Sequence, residues 1–286
     1  VYKRQGPVHT ESQTTGEVLQ MSDKRLVRYE VTDGVAVLTL DDPPANTYTY
    51  EMMRDLDEAI LRARMDNDAW VIVLTGQGER FFSAGANINM LNEAEPTFKY
   101  YFCLHANETL NRLEHTPKLT IAALNGHTVG GGLEIAMACD LRIARKGAGK
   151  IGLPEVTLGV LPGTGGTQRL CRLVGKSHAI ELMATGETFD LAEGLDKNIV
   201  NQVLEAESHE DFMAQVMAYA RQFTVPHTAA KAVGHIKRSV QTGYGLPFEQ
   251  ALTLERELQQ QLFQSEDAKE GISAYVEKRK PNFQGK

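Results

Sequence analysis

The chain has 286 residues, of which 42% are hydrophobic and 23% charged, and a formal net charge of −7. Those figures fit one large globular unit, or a core with a smaller appendage, and exclude disorder over most of the length. The acidic balance argues against a dedicated nucleic-acid binder, which needs a basic surface to meet phosphates, and no apolar run reaches the roughly 18 residues of a membrane span.

The first twenty residues lack a secretory-type apolar segment, and Glu11 and Glu17 argue against a mitochondrial presequence, a class poor in acids. Met21-Ser-Asp-Lys reads as a natural start, so residues 1–20 are set apart as a flexible extension. Two β-rich runs follow, Arg28 to Val31 and Val35 to Leu40, split by the hairpin signal Asp33-Gly34. Asp41-Asp42-Pro43-Pro44 ends the second. From Thr49 to about Met65, Met52, Met53, Leu56, Ile60 and Leu61 fall at helical spacing. Trp70 to Leu74 is a continuous apolar strand, closed by Thr75-Gly76 and predicted to be buried on both faces. A helix over Phe98 to Leu113 and a second buried strand over Leu119 to Leu124 come next. Within that helix Tyr100-Tyr101-Phe102 is either core or the wall of a substrate pocket. The recurring order strand, helix, strand predicts a layered α/β core over residues 21–206. After it only helical periods remain: Phe212, Val216, Tyr219 and Phe223, then Leu254, Leu258 and Leu262 after Pro247, giving a helical region over 207–286.

Cys103, Cys139 and Cys171 are odd in number and far apart, with no metal or disulfide spacing. They read as buried thiols of a protein in a reducing compartment, and a cytoplasmic location is expected. Lys278-Arg279-Lys280 is either a solvated face or a local patch for an anionic ligand.

Three glycine clusters carry the chemical signal: Ser83-Ala-Gly-Ala86, Gly130-Gly-Gly132 and Pro162-Gly-Thr-Gly-Gly166. The second lies between an apolar strand and the apolar run Leu133 to Ala138, a strand–loop–helix arrangement that points free N–H groups at one spot. No Gly-Lys-Ser/Thr directly follows these glycines, and Gly130-Gly-Gly-Leu-Glu134 does not give G-x-G-x-x-G, so neither phosphate loop fits here. Without a lysine, such amides suit a developing oxyanion. Glu134 falls in the first turn of this apolar helix, where it is either a dipole-stabilising residue or a working carboxylate. Glu155 is the one ionisable group between Ile151 and Leu161. Two isolated carboxylates, each near a glycine loop, form a candidate acid–base pair. His127 reads as a hydrogen-bonded wall residue, no Gly-x-Ser-x-Gly elbow is present, and no cluster has metal-ligand spacing.

Phe81-Phe-Ser-Ala-Gly-Ala-Asn-Ile-Asn89, Ile121 to Gly126, Gly130 to Asp140, Gly152 to Gly159, Pro162 to Leu170 and Glu270 to Lys280 together resemble the crotonase (enoyl-CoA hydratase/isomerase) superfamily, in its order and spacing, over roughly residues 25–286. The resemblance implies a ClpP-like spiral of ββα units and a C-terminal helical region used in trimerisation, with hexamers as dimers of trimers. It implies an acyl-CoA substrate, coenzyme A being part of the substrate, and no metal or redox cofactor. By motif position the oxyanion hole falls on the amides of Ala86 and Gly131. Coenzyme A and substrate contacts fall on Ala84, Asn89, Gly163, Tyr275 and Lys278. A glutamate at both acid–base positions, Glu134 and Glu155, is similar to hydratases. The alternatives are another reaction on the same scaffold, such as isomerisation or hydration of an aromatic or alicyclic acyl-CoA, and an RNA-binding relative. Asn87 stands where the family usually has Asp, and the lysine often found near Asn89 is missing.

Overall fold

The computed structural model describes residues 24–286, so the expected extension over residues 1–20 lies outside the described residues. It begins with the predicted hairpin. Strands β1 (Val27–Thr32) and β2 (Val35–Leu40) pair antiparallel with Thr32 opposite Val35. Asp33 and Gly34 between them both have positive φ, at 51° and 80°, as this two-residue turn demands. Helix α1 (Tyr50–Met65) starts at Thr49, whose side chain accepts a hydrogen bond from Met52 N, and buries Met52, Met53, Leu56 and Ile60.

The next three units repeat one plan. β3 (Val71–Gly76) and β4 (Phe81–Ser83) precede α2 (Ile88–Glu93) and α3 (Pro96–Glu114). β5 (Leu119–Leu124) and β6 (His127–Val129) precede α4 (Gly131–Met137). β7 (Leu141–Arg145) and β8 (Lys150–Gly152) precede a 3-10 turn, Glu155–Leu158, then α5 (Gly166–Val174) and α6 (Lys176–Thr185). After β9 (Thr188–Asp190), α7 (Glu193–Asp196) and β10 (Gln202–Leu204), the chain is helical: α8 (His209–Arg221), α9 (Ala230–Gly243), α10 (Phe248–Phe263) and α11 (Glu266–Glu277).

Each unit gives one strand to a six-stranded sheet ordered β1-β2-β3-β5-β7-β10 and one to a four-stranded sheet ordered β4-β6-β8-β9. The result is a spiral of ββα units. The main core lies between the sheets and their helices, and a second cluster lies where Phe212, Val216 and Ala220 of α8 meet Val35, Val71, Val73 and Ile121. Helix α8 thus covers the outer face of the large sheet. Lys237 of α9 is buried and pairs with Asp140 at 2.8 Å, tying the following helix to the turn between α4 and β7. Among the described residues no helix is long and apolar enough to cross a membrane.

Four details depart from the sequence-based expectations. Strand β3 runs on to Gly76, because the buried Asn125 side chain accepts from Gly76 N at 3.1 Å and donates to Gly76 O at 3.0 Å, extending the ladder. Cys139 is buried, but Cys103 and Cys171 are only half-buried; all three are free thiols. Cys103 is on the side of α3 that meets Gly163, where a glycine leaves its sulfur partly uncovered: a Cβ there would lie 3.4 Å from Sγ. Tyr100 and Tyr101 are exposed at 67% and 61%, and Phe102 alone of the three turns inward, since α3 buries only one face. The four short strands of the small sheet were not anticipated.

Candidate active site

Glu134 is one residue past the first three of α4, on a helix whose every residue is buried, and is itself 1% exposed. A charge there needs donors, and the Pro162–Gly166 loop supplies them. Oε1 accepts from the amides of Thr164, at 2.8 Å, and Gly166, at 2.6 Å. Oε2 accepts from the Thr164 hydroxyl. Hydrogen bonds to a charged group contribute about 1.5–3 kcal/mol each. Burial still pushes the carboxyl above its ordinary range, and the three donors and the charge of Arg169 pull it back. Arg169 of α5 is held by Glu114, at 2.7 Å, and Asn111, at 2.8 Å, and donates to Thr164 O at 3.3 Å, so it braces the same loop.

Glu155 opens the 3-10 turn after β8. Its Oε1 rests against Gly130, where a Cβ would come within 3.1 Å, and its Oε2 is buried with no hydrogen-bond partner among the described residues. Burial pushes this carboxyl up to about 7, and the charge of Glu134 adds to the push. The two carboxyls predicted from sequence are therefore within electrostatic reach of each other, one surrounded by donors and the other helped only by its own backbone amide.

The amides of Ala86 and Gly131 lie beside them. Tyr48 and Ala86 form a parallel bridge through Tyr48 N to Gly85 O and Asn87 N to Tyr48 O, which directs Ala86 N away from Tyr48. Gly131 is the first residue of α4, and a first-turn amide has no acceptor within its own helix. The segments touch: a Cβ on Gly85, whose φ is +84°, would lie 2.8 Å from Gly131 N, so only glycine allows this approach. A Cβ on Gly131 would strike the Tyr48 hydroxyl at 2.3 Å.

The remaining predicted residues divide. Gly163 is in the wall of this site, its carbonyl accepting from Asn107 Nδ2 at 3.4 Å. Ala84 is half-buried in the first of the three glycine clusters, with its amide bonded to Ala45 O at 3.0 Å. Asn89 is exposed on α2. Tyr275, 86% exposed, and Lys278, which caps α11 in the left-handed conformation, are at the far end of the chain, and among the described residues no recorded contact joins them to the carboxylate pair. Arg279, between Lys278 and Lys280, pairs with Glu270 and Glu277. His127 is hydrogen-bonded as expected: Nδ1 accepts from Lys150 N at 3.0 Å. Sequence reasoning missed Thr164 and Tyr48. Thr164 bonds a residue 30 positions away and Tyr48 meets Thr164 across 116, separations that no local pattern reports.

The family model described as enoyl-CoA hydratase/isomerase matches residues 30–286. A probable enoyl-CoA hydratase of Bacillus subtilis (strain 168) is 38% identical over 252 residues, covering 88% of this chain and 95% of the relative. A short-chain-enoyl-CoA hydratase of Clostridium acetobutylicum is 37% identical over 249 residues, covering 86% and 92%. Among solved structures, an enoyl-CoA hydratase from Geobacillus kaustophilus HTA426 superimposes with a TM-score of 0.88 at 45% identity, covering 93% of this chain and 98% of that one.

Proposed function

The chain belongs to the enoyl-CoA hydratase/isomerase family, and from that premise we propose that it is an enoyl-CoA hydratase, a hydro-lyase that adds water reversibly across the double bond of a 2-enoyl-CoA to give a 3-hydroxyacyl-CoA. The observation that carries the proposal is the pairing of two carboxyls in unlike environments with two amides that have no acceptor among the described residues. Glu134, ringed by donors, is the carboxylate that takes a proton from water as the water oxygen bonds to C3. The electron pair of the C2–C3 double bond moves onto the thioester oxygen, where Ala86 N–H and Gly131 N–H receive it. Each such donor contributes about 3 kcal/mol in comparable oxyanion sites. Glu155, which ionises near 7, then gives its proton to C2 as the enolate collapses. Proton exchange between the two carboxyls restores the starting state, so the atoms added are those of one water. Ala84, Asn89, Gly163, Tyr275 and Lys278 are proposed to bind the coenzyme A thioester.

The chemistry calls for no metal or redox cofactor, and treatment with a chelator is expected to leave turnover unchanged. We also propose self-association through the C-terminal helices, as a trimer or a dimer of trimers. What supports it is a groove of about 920 Å³ lined by Leu141, Leu173, Phe223, Val233, Ile236 and Val240, with Ile236 and Val240 exposed at 63% and 65%. Light scattering that returned a monomer would reject it. The free thiols of Cys103, Cys139 and Cys171 support a reducing compartment such as the cytoplasm, and a place in fatty-acid β-oxidation fits the same substrate.

The test is direct. Purified protein mixed with crotonyl-CoA is expected to bleach the ultraviolet absorbance of the conjugated thioester and yield 3-hydroxybutyryl-CoA. Folded protein that left the absorbance unchanged across enoyl chain lengths would overturn the proposal.

A further inference from the structure

Tyr48 is 2% exposed, so its hydroxyl, shut off from water, needs a partner. The partner is Thr164, with the two oxygens 3.3 Å apart. The ring is fixed on both sides: its backbone is bridged to Ala86, and its face stacks on Phe102 with centroids 5.7 Å apart and planes at 26°. The direction of the hydrogen bond follows from valence. A charged Glu134 only accepts, so the single Thr164 hydroxyl hydrogen points at Oε2. Thr164 Oγ1 is then left as an acceptor, and Tyr48 must donate to it. The phenol has no tendency to lose that proton, because burial pushes it well above its ordinary range and the charge of Glu134 pushes it further. The result is a chain, Tyr48 O–H to Thr164 O–H to Glu134, in which each hydrogen bond polarises the next. The other charged or titratable groups facing Glu134 are Arg169 from α5, Glu155 from the 3-10 turn and Cys103 from α3; none of them completes this chain.

We propose that Tyr48 is a positioning residue which, acting through Thr164, orients the Glu134 carboxylate and keeps it in its charged form. Its consequence for catalysis rests on the proposed hydratase function; its effect on Glu134 does not. The Cα of Gly131 is packed against the same phenol, with no room for a Cβ between them, so one side chain touches both the carboxylate loop and the start of α4.

The experiment titrates Glu134 in the free enzyme by carbon-13 NMR of carboxyl-labelled glutamate, the signal being assigned by its loss in Glu134→Gln. Tyr48→Phe keeps the stacked ring and removes only the hydroxyl. It is expected to raise the Glu134 midpoint by about half a pH unit or more and to lower kcat about threefold to tenfold, the size of one hydrogen bond. Thr164→Val is expected to raise the midpoint further, and adding Tyr48→Phe to Thr164→Val is expected to change nothing more. An unchanged midpoint in Tyr48→Phe would overturn the inference, as would an equal Tyr48→Phe shift with and without Thr164. Should Tyr48→Phe fail to fold, an unshifted midpoint in Thr164→Val would overturn it from the other end. If wild-type protein left crotonyl-CoA untouched while the midpoint shifted, the proposed reaction would fall and the positioning role would stand. If crotonyl-CoA were hydrated and the midpoint did not move, the reverse would hold.

Discussion

The loop that holds Glu134 and the turn that carries Glu155 are alike in composition, both glycine-flanked and apolar, yet they treat a carboxylate in opposite ways. Pro162–Gly166 folds three donors around Glu134. The 3-10 turn gives Glu155 Oε2 none and leaves the residue half-buried, followed by the exposed side chains of Val156, Leu158, Val160 and Leu161. Burial raises both carboxyls; the donors and Arg169 pull Glu134 back toward its charged form, while Glu155, without comparable donors, holds its proton until near neutral pH. One fold thus makes a base and an acid from the same side chain.

Substituting each carboxyl tests that contrast most severely. Glu134→Gln and Glu155→Gln are each expected to lower the turnover of crotonyl-CoA by roughly 10²–10⁴-fold. Steady-state kinetics decides the matter, and wild-type turnover in either variant would remove that residue from the mechanism. Gly131→Ala comes next. Its Cβ would fall 2.3 Å from the Tyr48 hydroxyl, so either the ring or the start of α4 must shift. The loss expected is about 10²-fold in kcat with a smaller change in KM, because the displaced amide acts on the developing oxyanion. An equal loss in KM alone would place the effect on binding instead.

The pH profile sharpens the comparison further. If Glu155 delivers its proton to C2, kcat/KM for hydration is expected to fall as pH rises through about 7, where that carboxyl ionises. The residual activity of Glu155→Gln is expected to lack this limb. A limb that persisted unchanged in the variant would belong to another group.

How much of this was legible in the chain depended on reach. The large sheet was readable because Val71–Gly76 and Leu119–Leu124 are unbroken apolar runs, and central parallel strands are buried on both faces. The small sheet was not, since three-residue strands such as Lys150–Gly152 are too short to display a period of two. Glu134 and Glu155 stood out because each is a lone charge in an apolar stretch, a local fact. What separates them is not local: the donors to Glu134 come from 30 and 32 residues further along, and the bare Oε2 of Glu155 is a property of the packed fold. Tyr48 lay in an unremarkable Asn-Thr-Tyr-Thr run, and only the approach of Thr164 gives it a role.

The smallest expected effect concerns stability, and its sign follows from the same asymmetry. Glu155 ionises at its ordinary value, 4.5, in the unfolded chain and at about 7 in the folded one. As pH rises from 4.5 the unfolded chain loses its proton first, so ionisation favours unfolding across the window from 4.5 to 7, and the penalty stays in full above it. Glutamine cannot ionise and escapes it. Glu155→Gln is therefore expected to melt level with wild type near pH 4.5 and several degrees higher by pH 8, the gap opening between those limits. Melting curves that stayed parallel across the window would mean that the folded protein hydrates or pairs the Glu155 carboxylate when it ionises. The contrast between the two carboxyls would then be one of orientation and not of charge.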